Sequence, residues 1–142
     1  MMLDRAMIEA LVPHAGAMCL IDEVQSHDDS RIVCASMRHL SLDNPLRRGG
    51  RLSAVHAIEF AAQAAALHMA LRSGEDTQRS GMLVSVHGCR LHADTLSSVA
   101  QPLRIEARRT AMVGPLASYG FLVETSAGRV AEGRLGVHVG GP

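Results

Sequence analysis

HAIEFAAQAAALH, residues 56–68, is the stretch on which the reading of the whole chain turns. It is dominated by alanine and has helical spacing throughout. A helix turns about 100° per residue, so His56, Glu59 and Gln63 fall within roughly a 60° arc. Three groups able to exchange protons or hydrogen bonds therefore share one face of a helix otherwise suited to burial. A carboxyl group placed in such a helix needs either a hydrogen-bonding partner or a function. Burial beside alanines would favour its protonated form.

Upstream of this helix, SLDNPLRRGGRLS (41–53) is rich in Pro, Gly, Asn and Asp and reads as a loop. Before it, AMCLIDEV (17–24) and SRIVCASMRHL (30–40) read as strands. Asp4 is placed to cap a short helix ending near Leu11, with Ala6, Met7, Ala10 and Leu11 as its apolar positions and Pro13 as its stop. Downstream, a polar connection at 73–81 leads into four strand-like segments, 82–93, 102–112, 116–126 and 129–139. Gly114-Pro115 and Ala127-Gly128 are separators short enough for hairpins. Leu103, Ile105 and Ala107 alternate with Arg104, Glu106 and Arg108, which predicts a sheet with one wet face.

The order is helix, two strands, long helix, four strands. Strands of ten residues span roughly 33 Å, and a helix of nineteen residues spans roughly 28 Å. A twisted antiparallel sheet of that length can wrap the helix from end to end, and alanine permits the close approach. The expectation is an α+β fold in a single domain, 1–142.

Composition narrows the function. Net charge is zero, so no global field favours nucleic acid or membrane. With only Phe60, Tyr119 and Phe121 as aromatic residues, stacking platforms for single strands are not expected. Cys19, Cys34 and Cys89 show no CxxC spacing and read as small apolar residues rather than a zinc or disulfide framework. The N-terminus has acids where a signal peptide would have bases, and no apolar run of membrane-spanning length is expected. A soluble, cytoplasmic protein is expected.

Two motifs carry a resemblance. LVPHAGAMCLIDEV (11–24) resembles the opening of bacterial 3-hydroxyacyl-acyl carrier protein dehydratases, and AIEFAAQA (57–64) resembles their central helix, where a catalytic Glu precedes a Gln by four residues. NPLRRGGRLSAVHAIEFAAQAAALH (44–68) is similar to a divergent branch of dehydratase-like proteins, some of them in aryl polyene pathways. The resemblance implies the hot dog fold, Glu59 as the acid and Gln63 as its assistant. It also implies a thioester carried on the phosphopantetheine of acyl carrier protein, with no further cofactor, in fatty acid or polyene-type biosynthesis. Hot dog domains generally pair, so a homodimer or a heterodimer with a related subunit is implied. One departure stands out. The family's catalytic His lies fourteen residues before the Glu, and that position here is Pro45.

Dehydration needs a base for the C2 proton and an acid for the departing hydroxyl. His56 is the nearest candidate base, at the helix N-terminus, where a neutral imidazole is favoured. His14 and His39 are weaker candidates. His68 reads as a satisfied core or interface histidine, and His87, His92 and His138 have no evident partner. No HxxxH or HxH spacing occurs, so no metal is expected. Arg47, Arg48 and Arg51 are either a solvated loop or a cluster for the carrier protein's acids and phosphate. Two other functions remain open at this level: a hot dog acyl thioesterase, whose carboxylate attacks the carbonyl or activates water, and a non-catalytic partner subunit.

Overall fold

The computed structural model describes residues 2–11, 16–73 and 80–140. Its helix α1, Arg5–Leu11, is capped by Asp4, whose Oδ1 accepts the Met7 N–H at 3.0 Å. Ile8 is the side chain it buries, while Met7, expected to face the core, is exposed. With so short a helix, only one residue per turn reaches the core.

The first strand begins later than the sequence suggests. Gly16–Met18 form a 3-10 turn and residues 19–22 are extended but unladdered, so that β1 spans Glu23–His27. Cys19, Leu20 and Ile21 are nonetheless fully buried. Side chains hold this segment instead of a ladder. Arg5 donates to the carbonyls of Gly16 at 2.7 Å and Cys19 at 2.8 Å, and Ser36 Oγ donates to the Leu20 carbonyl at 2.5 Å. Strand β2, Arg31–Ser36, ends before a 3-10 turn at Arg38–Leu40 that the sequence pattern counted as strand.

The central helix has the expected extent. Ser53 is its N-cap, a 3-10 turn covers Ala54–His56, and α2 continues over Ala57–Ser73. Then come β3 (Ser80–Leu91), β4 (Leu103–Val113), β5 (Leu116–Thr125) and β6 (Gly128–Gly140). All pairings in the six-stranded sheet, ordered β1-β2-β4-β5-β6-β3, are antiparallel. The sheet curls around α2, whose Phe60, Ala61, Ala64, Ala65 and Leu67 are wholly buried against Ile105, Tyr119, Val123 and Leu135. Ala54–Arg72 does reach the length and mean hydropathy, 1.2, of a membrane-spanning helix, contrary to the sequence expectation. Half of it is buried inside the protein, and its apolar character is that of a core helix.

Two glycines mark where the sheet is tightest. Gly88, at φ +59°, makes the bulge between His87 and Arg90 in β3. That bulge presses Cys89 onto Gly133 of β6, where a Cβ would sit 3.0 Å from both the Cys89 Cα and the Phe121 ring. The wet face is present: along β4 the residues from Leu103 to Ala107 alternate buried and half-buried.

Candidate active site

The N-terminal end of α2 gathers the groups singled out in the sequence. Ser53 Oγ accepts the Val55 N–H and sets the start of the helix. His56 closes the 3-10 turn and is half-buried, and Glu59 lies in the first turn of α2. Neither side chain has a hydrogen bond or ion pair among the described residues. Glu59 is exposed, not buried among alanines as expected. The sheet covers the face bearing Phe60, Ala64 and Leu67 and leaves the Glu59 face uncovered. Along that open face run Val55, 44 % exposed, and the half-buried Ile58, Ala62 and Ala66. Glu59 is thus the one carboxylate among the described residues of this largely apolar face, with His56 and Gln63 beside it.

Gln63, expected to assist Glu59, is hydrogen-bonded elsewhere. Its Oε1 accepts the Leu20 N–H at 2.8 Å and its Nε2 donates to the Met18 carbonyl at 2.9 Å. Both ends of the amide are committed to pinning the 18–20 segment onto the helix. The other polar residues that hold this segment and its neighbours were not picked out from the sequence. They are Arg5, Asp22 and Ser36; Asp22 accepts the Met37 N–H at 2.7 Å and ion-pairs with Arg5 and Arg38 at 3.2 and 3.1 Å. The available signal was an arginine in a short helix facing a run of apolar residues that lacks strand alternation.

The loop before the helix is built around Arg47. Its guanidinium donates to the carbonyls of Ser41 at 2.8 Å, Gly50 at 2.7 Å and His39 at 3.2 Å. Arg48 donates to the carbonyls of Pro45 and Arg47 and is otherwise exposed. Arg51 is exposed with no side-chain partner among the described residues. The three arginines are therefore not equivalent: Arg47 is a strut of the loop, and Arg48 and Arg51 face solvent. A cleft of about 160 Å³ between this loop and the Gly16 turn is lined by Arg5, Arg38, Ser41, Asp43 and Asn44.

His39 is wholly buried, and its Nε2–H donates to the Val99 carbonyl at 2.9 Å. Burial holds its pKa below the usual imidazole value. It anchors the loop to the 96–101 segment and has no exposed ring with which to reach a substrate. His14 lies outside the described residues. His68, at the far end of α2, is the core histidine it was expected to be. His92, expected to lack a partner, meets Glu132 at 2.8 Å. Among the described residues no group of three or more His, Cys, Asp or Glu side chains is arranged to hold a metal ion.

An antiparallel six-stranded sheet wrapped around one long helix defines a hot dog domain. The chain belongs to the ApeP-like dehydratase family, whose model, described as ApeP dehydratase, matches residues 6–140. The fold is similar to that in the dehydratase heterocomplex ApeI:P from Xenorhabdus doucetiae. That similarity has a TM-score of 0.82 at 20% identity and covers 94% of this chain and 91% of that one. It is also similar to zebrafish thioesterase superfamily member 2, with a TM-score of 0.65 at 17% identity over 96% of this chain and 95% of that one. A hypothetical thioesterase protein from Streptococcus pneumoniae solved with coenzyme A gives 0.59 at 12% identity, over 83% and 84% of the two chains. No curated protein sequence matches.

Proposed function

We propose that this chain dehydrates 3-hydroxyacyl thioesters presented on acyl carrier protein in the cytoplasm, working as one subunit of a pair with a related hot dog subunit. The observation that carries this reading is the placement of Glu59 and His56. They are unpaired among the described residues, one helical turn apart, on the uncovered face of the core helix.

Their relation fits the chemistry. Residues three apart on a helix have Cβ atoms about 5–6 Å apart on one side. Elimination of water from adjacent carbons with both groups leaving from one side needs a base and an acid so arranged. His56 takes the C2 proton, and the electron pair of that C–H bond becomes the C2–C3 double bond. The C3–O bond breaks, and the hydroxyl leaves as water with a proton from Glu59. The next turnover requires the proton to pass from His56 back to Glu59.

The acid must be protonated at the start, and removal of water favours that state. In the single chain the Glu59 face is open, so a second subunit is needed to cover it. Val55, Ile58, Ala62 and Ala66 give that subunit an apolar surface. Strand β3, laddered only to β6, offers Val86 and Leu91 beside its open edge, and unpaired edges of this kind are covered in stable proteins. The pairing of two different hot dog subunits is suggested by the similarity to the ApeI:P heterocomplex. Arg48 and Arg51, at the lip of the loop, would meet the acidic carrier protein.

The test is mass spectrometry of 3-hydroxyacyl and saturated acyl carrier-protein thioesters, incubated with the pure chain and with the chain plus a co-encoded hot dog homologue. Loss of water supports the proposal. Release of free acid would instead mark a thioesterase. Dehydration by the pair that survives Glu59→Gln and His56→Ala would make this chain a non-catalytic partner.

A further inference from the structure

The outer face of the sheet, turned away from α2, carries a row of basic residues. The registers align Arg31 of β2 with Arg108 of β4, Arg108 with Gly120 of β5, Gly120 with Arg134 of β6, and Arg134 with His87 of β3. One row across five strands thus holds three arginines, a histidine and, between two of the arginines, a glycine. Like charges directly opposite each other on neighbouring strands destabilise a sheet. The row therefore places cations where sheet stability alone would not.

One carboxylate, Glu106, serves several arginines at once, and Arg134 is left without one among the described residues. Glu106 is held at 3.3 Å by both Arg31 and Arg104 and lies 3.9 Å from Arg108. Glu132 is engaged by His92 at 2.8 Å and Arg129 at 3.2 Å. Arg134 has no ion pair among the described residues. Above the row lies a depression of about 450 Å³, lined by His87, Arg90, Arg108, Gly120 and Arg134 together with Glu106 and Glu132, the two carboxylates already engaged by basic side chains.

From this we infer that the outer sheet face holds a binding site for a phosphate group, centred above Gly120 between Arg108 and Arg134. Strands lie about 4.8 Å apart, so the two arginine backbones straddle Gly120 at about 10 Å. With no side chain on Gly120, both guanidiniums can fold over it, and one tetrahedral anion fills the gap between them. Guanidinium forks match phosphate oxygens two at a time. An extended acidic protein surface needs no such gap, which is why a small phosphate-bearing ligand is the occupant. The site lies on the opposite face of the sheet from α2 and stands whether or not the dehydratase reading does.

The experiment is calorimetric titration of the full chain with inorganic phosphate at low ionic strength. Saturable binding is expected, and Arg108→Gln with Arg134→Gln should weaken it by at least about tenfold, as loss of charge-assisted bonds does. Gly120→Ile tests the geometry without removing charge. A Cβ at Gly120 meets nothing within 4 Å, so this variant should fold normally, as judged by circular dichroism, and lose binding. Repeating the titration with 4′-phosphopantetheine separates sources: tighter binding identifies a pantetheine-borne phosphate, and equal binding a free one. Absence of saturation by either phosphate would overturn the inference. So would folded variants that titrate like the wild type, or binding seen only to anionic lipid vesicles.

Discussion

The two ends of α2 carry the same kind of polar residue and treat it in opposite ways. At the C-terminal end the polar side chains are partnered, with Arg72 Nε alone among their buried atoms left without a hydrogen bond. His68 is wholly buried, and its Nε2–H donates to the Asp28 carbonyl at 2.8 Å. That leaves Nδ1 as acceptor for the Tyr119 hydroxyl at 2.6 Å, with the two rings edge-on at 84°. Burial pushes the Tyr119 pKa up to about 12, so the phenol stays protonated to donate. Arg72 donates to His27 Nδ1 at 2.6 Å and to Asp29 at 2.9 Å. This network ties the β1–β2 turn to the helix and to β5. At the N-terminal end His56 and Glu59 have no such partners among the described residues. Polar groups that are buried and fully bonded hold a fold together; those left open on an apolar face are free to act on something else.

The strongest way to break this contrast is to exchange its two halves by mutation. Glu59→Gln should reduce dehydration by about 10²–10⁴-fold, the usual range for a lost general acid. Its melting temperature should stay at the wild-type value, because the side chain bonds nothing in the chain. A variant keeping more than about a tenth of the activity would make Glu59 a bystander. His56→Ala should likewise lose elimination, and should also stop exchange of the substrate C2 proton with deuterated water.

At the other end the signs reverse. Tyr119→Phe removes a donor and leaves His68 Nδ1 buried without a partner, which should cost about 1–3 kcal/mol in denaturant unfolding. His68→Ala should cost more, since it adds a cavity to two unpaired groups. A double-mutant cycle should show the two losses to be strongly non-additive. Additive losses would mean that the pair is not coupled.

The pH dependence of stability sharpens the same point. Burial is the main reason that His68, His39 and His27 are held below the usual imidazole pKa of 6.5, with Arg72 adding to the effect at His27. Above about 6.5 these rings are neutral in both folded and unfolded chains. Below it the unfolded chain takes up protons that the folded chain refuses, so stability should fall as pH falls. Replacing His68 should flatten the slope. The smallest expected effect belongs to Arg51→Ala, which should leave the melting temperature untouched and weaken turnover of carrier-bound substrate, an effect blunted by salt. Arg47→Ala, by contrast, removes three loop hydrogen bonds and should lower the melting temperature.

Much of this was legible in the sequence where local pattern and burial agree. The central helix was legible as an unbroken helical run between the 41–53 loop and the polar connection at 73–81, and β4 to β6 followed from alternation and short Gly-containing turns. The 17–24 segment was misread because three consecutive buried apolar residues look like a buried strand. Their backbone is held by Arg5, Gln63 and Ser36 instead, and no local signal reports a partner forty residues away.

By itself, then, the chain's sequence determined the order of its elements, the helix at its centre and the position of the acid and imidazole on one turn of that helix. Those follow from periodicity, capping and spacing, which are local properties. Tertiary structure decided which faces are covered and which donors are already engaged. It exposed Glu59, committed Gln63 to the 18–20 segment and Arg47 to its own loop, and buried His39 under Val99. It also aligned Arg108, Gly120 and Arg134 across three strands. The physical reason is that burial and hydrogen-bond satisfaction depend on what the rest of the chain brings alongside, and strand register sets that only once the sheet has closed.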